Sequence, residues 1–506
     1  MMAAYAGLPI PSQPTSLSSR NWRLNVVKQA LRQRYQAAQP TAGALLPELF
    51  PEPPPPQATS AGRVAVRVFL SVLALAAGAV VLLLRIAGRS PVTTIWAEDR
   101  TVFLVQALAS PWHLFASYAG YLQLLPRMIG QLAAFLPLPD AAAAFAISGA
   151  VIASAVALFV FHASAGHIRS GWLRGLLAVA VLLLPVAPLE IADSGVNTPW
   201  YLLFALFWAA LWRPRTRRGM ALAALIAFLA GSSTPLALAL APLFIVRLAA
   251  LRRVREHAVT AGFAAGLLLQ LPVIASAHNS RLDQTASPGG VLGFVAHDVV
   301  LPALGWHLDW WLQAVAGRNG ATVLVGCVLA AVFGAIALTQ SARVRLVAAA
   351  ALGCGFLLAA AAATLSQWVT VDSVHFHVEP GSRYTTLPIF LMQAAAIVAV
   401  DNVVRRARDR ARPDEQGAAF GVTPWMGWAR ARAATAAVAA LLVALSVGWI
   451  TDFRSDNGRA GGVPWAPVAA RWLADCQRDP AGSVTAPMVP TMVPNSVVIP
   501  CAHLRR

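Results

Sequence analysis

The sequence predicts an all-α polytopic membrane protein with about eleven transmembrane helices. Three observations carry this expectation. Of 506 residues, 58% are hydrophobic and only 12% are charged, about half the ~25% charged residues of a soluble domain. Apolar runs near the ~20 residues needed to cross a bilayer recur along the chain. These runs are Leu, Ala and Val without strict alternation, which suits helices that satisfy their own backbone in lipid and argues against an outer-membrane barrel.

Residues 1–66 read as a basic, Pro-rich cytoplasmic tail, largely disordered, with no secretory signal after Met1. Within it, residues 20–37 place Leu24, Val27, Leu31 and Tyr35 on one helical face among Arg20, Arg23, Lys28, Arg32 and Arg34. That segment either lies on anionic lipid or stays disordered. Pro51 to Pro56 is a stiff linker.

The membrane domain spans 67–450, with expected spans near 67–87, 140–161, 175–189, 199–212, 219–233, 235–251, 258–277, 321–339, 345–366, 384–404 and 433–450. The net charge is +18, yet it sits in short loops between apolar runs, so it reads as topology and not as nucleic-acid binding. Arg169 and Arg174, Arg213 to Arg218, Arg247 to Arg255, Arg343 and Arg345, and the run from Arg405 to Arg432 all fall on one side by parity. That places the protein in a bacterial plasma membrane, N-terminus cytoplasmic and C-terminus extracytoplasmic. Residues 88–139 form one long outer loop. Within it, 121–136 has a polar stripe of Gln123, Arg127 and Gln131 opposite Leu122, Leu125, Ile129 and Leu132, the pattern of an interfacial helix. The spans between 199 and 251 are short, with a turn at Gly231 to Pro235. Residues 451–506 form a short outer tail, where an oxidising compartment permits a disulfide between Cys476 and Cys501. Cys327 and Cys354 fall in spans and read as packing residues.

Chemistry-bearing residues concentrate on the outer side. Glu98-Asp99 open the long loop; such a pair supplies a general base, holds a divalent cation, or is a solvated pair with Arg100. The next turn carries Glu190, Asp193, Asn197 and Trp200, which suit either sugar hydroxyls or helix capping and an aromatic belt. Loop 278–320 carries His297, Asp298, Trp306, His307, Asp309, Trp310 and Trp311, suited to a sugar or head group or to the same belt. Loop 367–383 carries Asp372, His375, His377, Glu379 and Arg383, with Tyr384 following. Positive-inside logic disfavours Arg383 there, so it reads as a phosphate ligand or as a snorkelling side chain. No P-loop, dinucleotide fingerprint or zinc-peptidase helix occurs.

A first span followed by a long loop with interfacial helices, the acidic pair Glu98-Asp99 at its start, and Gly381-Ser382-Arg383-Tyr384 ahead of a late span together resemble the membrane-embedded glycosyltransferases of the C superfamily, in the form found in actinobacterial cell envelopes. The resemblance covers about 67–450. It implies an inverting transferase that takes sugar from a polyprenyl-phosphate donor to an envelope glycan or glycolipid acceptor. Asp99 would be the base, with Glu98 supporting it or sharing a divalent cation (Mg, Mn or Ca) with it. Arg383, His375 and Tyr384 would hold the donor phosphate. Glu190, Asp193, Asn197, Trp200, His307 and Trp310 would contact sugar or acceptor. The outer tail is too short for the large sugar-binding domains some members carry. Two other functions stay open. A lipid-glycan transporter would need ionisable groups at mid-membrane, where the spans offer only Arg85, Arg247 and Asp401 near their ends. The other is a non-catalytic envelope-assembly protein.

Overall fold

The computed structural model describes residues 46–52, 60–276, 287–337, 339, 341–365, 382–411, 424–459, 461–486 and 497–504. Everything below concerns Glu48–Arg506, the larger of two units into which the chain divides. The unit is helical apart from two small hairpins. Its principal helices are α1 (Ala61–Leu83), α2 (Leu124–Phe135), α3 (Ala141–Ala163), α4 (Gly171–Leu182), α5 (Thr198–Leu211), α6 (Arg217–Ser233), α7 (Ala241–Ala250), α8 (Ala258–Ser276), α9 (Trp306–Ala337), α10 (Ala342–Leu365), α11 (Arg383–Ala411), α12 (Pro424–Thr451) and α13 (Trp465–Arg478).

Among the described residues, seven segments are long and apolar enough to cross a membrane: Ala61–Leu83, Leu138–Gly166, Gly171–Glu190, Val254–Ser276, Ala342–Thr364, Arg383–Arg408 and Ala434–Thr451. The chain is therefore a multi-pass, all-α membrane protein. The other four expected spans fall on shorter elements. Helix α5 has 14 residues, a rise of about 21 Å, against a hydrocarbon core of ~30 Å. Helix α6 has 17 residues, and α7 has 10 after a 3₁₀ turn at Pro235–Leu240. Helix α9 is interrupted at Gly317, where φ is +65°, a conformation that needs glycine; the expected span at 321–339 is its second part.

All 14 residues of α5 are buried. Phe204 stacks on Phe390 of α11 at 4.8 Å, and Trp208 lies 6.0 Å from His167 at the turn after α3. Helices α6 and α8 pack at very close range: a Cβ on Gly262 would sit 2.3 Å from the Ala224 carbonyl oxygen, and one on Gly266 2.4 Å from that of Phe228. Small residues here let two backbones touch.

The connections gather at two ends. At the first, which we term the acidic end, buried Arg85 after α1 donates to four carbonyls: Leu182 (2.9 Å) and Leu184 (2.8 Å) at and just after the end of α4, and Asp452 (3.2 Å) and Phe453 (3.1 Å) after α12. At the second, the arginine end, Asp401 of α11 accepts from the Arg169 and Ser170 backbone N–H groups at the start of α4 and pairs with Arg405. There Arg247 donates to the Ala210 and Trp212 carbonyls, and Arg213 pairs with Glu256 at 2.7 Å. Arg85, Arg247 and Asp401 are thus bonded at helix ends.

The segment 121–136 departs from its expected orientation. A two-residue hairpin pairs β1 (Ser117–Tyr118) with β2 (Tyr121–Leu122), and α2 follows. Gln123 and Arg127 face inward and are buried, while Met128, Leu132 and Phe135 are exposed. Leu122, Leu125 and Ile129 are buried as well, so both faces are largely enclosed, and burial of the polar stripe has local causes. Arg127 donates to Gln106 Oε1 (2.8 Å) and the His113 carbonyl (2.6 Å) and lies over the Phe103 ring. Gln270 of α8 exchanges two 2.9 Å hydrogen bonds with the Leu122 backbone, and Ser233 Oγ accepts from the Leu125 N–H. The expected turn at Gly231 to Pro235 begins only at Thr234, because residues 231–233 complete α6.

After α12 the chain folds into a small module. Trp465 of α13 donates to the Leu138 carbonyl at 2.6 Å and meets Trp472 edge-on. Strands β3 (Ser483–Ala486) and β4 (Val497–Pro500) pair antiparallel, and a Cys476–Cys501 disulfide ties the hairpin end to α13. Cys354 is buried in α10, whereas Cys327 in α9 is exposed.

Candidate active site at the acidic end

The two adjacent carboxylates occupy different environments. Asp99 begins a π-helical turn, Asp99–Leu104, and is fully buried. Its Oδ1 accepts from the Val196 N–H at 2.8 Å; its Oδ2 accepts from the Gly195 N–H at 3.0 Å and the Ser194 hydroxyl at 3.2 Å. The side chain is a clasp on the 194–196 turn. Burial pushes its carboxyl up to about 7, against the pull of the two N–H donors and Arg459. Glu98 is partly exposed, and apart from its own backbone N–H no described residue hydrogen-bonds its carboxylate. Burial raises it above the ordinary carboxyl range, against the attraction of Arg383. Arg100 pairs with neither; its Nε and Nη2 are buried without partners among the described residues.

Glu190 and Arg383 form the centre of the site. Glu190 Oε1 accepts from Arg383 Nη1 at 2.5 Å, while its Oε2 accepts from the Arg383 backbone N–H at 3.0 Å and from Ser382 Oγ at 3.2 Å. The start of α11 is thereby locked to the end of the 171–190 segment. The Arg383 side chain is still 18% exposed. Its guanidinium lies 5.3 Å from the Tyr384 ring centroid, and Tyr384 meets Trp200 edge-on at 5.2 Å. Tyr121, on the first-loop hairpin, shares this locale: its phenol is raised by burial and feels Tyr384, Arg383 and Glu98. Glu98, Tyr121, Glu190, Arg383 and Tyr384 therefore converge on one electrostatic neighbourhood.

A second charged layer lies beneath. Asp193 is buried at φ +58°, a left-handed conformation that Asp tolerates better than most residues. Neither of its carboxylate oxygens has a hydrogen-bond partner among the described residues. Burial pushes it up to about 7, opposed by Arg459 and Arg85. Arg459, from the chain after α12, donates to the Asp193 carbonyl (3.0 Å) and the Thr94 carbonyl (2.8 Å) and lies over Trp96 at 5.2 Å. It joins the start of the long loop, the 190–197 turn and the C-terminal module.

The remaining candidates divide. Asn197 Nδ2 donates to the Glu190 carbonyl at 2.9 Å and to Ser194 Oγ at 3.4 Å, so it braces its own turn. Trp200 is buried behind Tyr384. His307 is half exposed; its Nδ1 bonds Asp452, whose other oxygen accepts from the Trp306 N–H at 2.7 Å. Trp310 is half exposed. His375 and His377 lie outside the described residues. Among the described residues no three His, Cys, Asp or Glu side chains gather as a metal site, and both Asp99 oxygens face N–H donors that would repel a cation.

Sequence reading missed Tyr121, Arg459 and the Glu190–Arg383 pairing. A tyrosine in a loop otherwise read for amphipathicity was the available signal for Tyr121; partners separated by 193 and 266 residues leave no local trace. No family model matches the chain, and no curated protein matches it.

Proposed function

We propose that the protein is an inverting glycosyltransferase that moves a sugar from a polyprenyl-phosphate donor to an envelope glycan or glycolipid at the acidic end, which faces outward in a bacterial plasma membrane. The observation that supports this most is the convergence of a partly exposed Glu98, bonded among the described residues only by its own backbone N–H, with Arg383 and two tyrosines beside it. Glu98 takes the proton of the acceptor hydroxyl as that oxygen attacks the anomeric carbon. The bond from that carbon to the phosphate oxygen breaks, and the polyprenyl phosphate leaves with the electron pair. Arg383 neutralises the charge that grows on the leaving group. A carboxyl raised by burial is a stronger base at neutral pH than an ordinary one. Asp99 holds the 194–196 turn in this reading and takes no proton from the acceptor, and no step runs through a cation. Glu190 orients Arg383; His307 and Trp310 are candidates for acceptor contact.

The test is donor consumption. Detergent-solubilised protein is incubated with a panel of prenyl-phosphate-linked pentoses and hexoses, and released prenyl phosphate is measured. Glu98→Gln and Arg383→Lys should each lower turnover about 10²-fold or more. Full turnover in Glu98→Gln, or release by no member of the panel, overturns the reading.

A further inference from the structure

At the arginine end, a cavity of about 250 Å³ is lined by Arg213, Arg215, Arg253 and Arg255 with Glu52 and Glu256. It forms where α5 ends, α6 begins and the 251–257 connection passes. The charge within it does not balance. Glu256 is taken by Arg213, through Nε at 3.1 Å and Nη2 at 2.7 Å. Glu52 approaches Arg213 at 3.2 Å and Arg253 at 4.0 Å. Arg215 and Arg255 have no carboxylate partner among the described residues, and both are exposed. The floor is fixed: Phe50 is fully buried, its carbonyl accepts from Arg213 Nη1 at 3.2 Å, and its ring faces the Arg247 guanidinium.

Beside this excess of positive charge the surface is apolar. Ile245 and Leu248 on α7 are exposed, and Val254, between Arg253 and Arg255, is 86% exposed. An isolated valine held out between two arginines suits a lipid interface, where its side chain meets hydrocarbon and its neighbours meet phosphate. Helix α7, whose Ile245 and Leu248 are exposed, is also too short to reach across a full bilayer, which brings the head-group layer toward the cavity mouth.

We infer that this cavity binds a phosphate group, and that the group belongs to an anionic phospholipid. Arg215 and Arg255 grip the phosphate oxygens as forked donors. The acyl chains run along Ile245 and Leu248. The site lies at the opposite end from Glu98 and plays no part in the proposed transfer. Its occupant would seal the short-helix side of the bundle.

The test uses the full chain in detergent and native mass spectrometry. The protein is mixed with phosphatidylglycerol, with phosphatidylcholine or with inorganic phosphate at matched concentrations. One phosphatidylglycerol should be retained in preference to phosphatidylcholine, and inorganic phosphate should not displace it. In the double variant Arg215→Ala/Arg255→Ala its affinity should fall about thirty-fold, as for two basic residues against an anionic head group. Both residues are exposed, so the variant should elute as wild type does on size exclusion. Equal retention by both proteins overturns the site; binding of inorganic phosphate in place of lipid overturns the lipid assignment.

Discussion

Replacing Asp99 by Asn and Glu98 by Gln should have opposite consequences. The Asp99 carboxylate accepts three hydrogen bonds, two of them from backbone N–H groups at 2.8 and 3.0 Å on different oxygens. An asparagine offers one oxygen and one NH₂. Whichever way it turns, its NH₂ opposes one buried N–H, which is left without an acceptor at about 1–3 kcal/mol. Asp99→Asn should therefore lower the melting temperature in detergent and release the 194–196 turn. Glu98 is bonded among the described residues only by its own backbone N–H, which a glutamine oxygen can still accept, so Glu98→Gln should change stability by no more than ~0.5 kcal/mol while cutting turnover about 10²–10⁴-fold. The assay pairs fluorescence-detected size exclusion after heating with prenyl phosphate release at saturating donor. If Asp99→Asn melts with wild type yet abolishes turnover while Glu98→Gln keeps it, Asp99 and not Glu98 is the reacting group.

Three further outcomes follow from the buried charges and the C-terminal module. Asp99 and Asp193 are both held near 7, above the ordinary 3.8; a raised group stabilises below its unfolded value and loses that contribution as pH climbs through its folded value. Melting temperature should fall from pH 5 to pH 8 in wild type and fall less steeply in Asp193→Asn; an identical slope would mean that Asp193 does not titrate across this range. Arg85→Met strips hydrogen bonds from four carbonyls and should cost about 3 kcal/mol or more, read as loss of a monodisperse peak; an unchanged peak would show that the junction does not depend on Arg85. Cys476→Ser opens a loop of sequence separation 25, worth about 3 kcal/mol. Trypsin should then cut faster at Arg471 or Arg478, and unchanged cutting would mean that Trp465 and Trp472 alone hold the module.

The membrane class was legible because hydropathy depends on composition over a window, and the clustering of arginine at one set of loops needs only parity. Helix α2 shows where such reading stops. Periodicity identified Gln123 and Arg127 as a polar face and Leu122, Leu125 and Ile129 as an apolar one, but burial of both follows from Gln106, His113 and Phe103, brought in by the tertiary fold. The same holds for the site. Glu98, Asp99 and Arg383 stood out as ionisable residues beside apolar runs, yet adjacency could not tell which of the two carboxylates clasps the 194–196 turn. That distinction came from the 194–196 turn, almost a hundred residues away in sequence. Arg383 looked like an unattended cation because Glu190 was read as part of a separate turn.

Helix α5 places a demand on biogenesis. Each of its residues is enclosed by protein, and its rise of about 21 Å is less than the lipid it would have to cross alone. It is bound at both ends, through Asn197 to the Glu190 carbonyl and through the Ala210 and Trp212 carbonyls to Arg247. Before its neighbours arrive, a segment of this kind sits in the bilayer only at the cost of thinning it. Packing of α5 against α11, through Phe204 and Phe390, removes that mismatch and, in the same step, brings Arg383 at the start of α11 to Glu190.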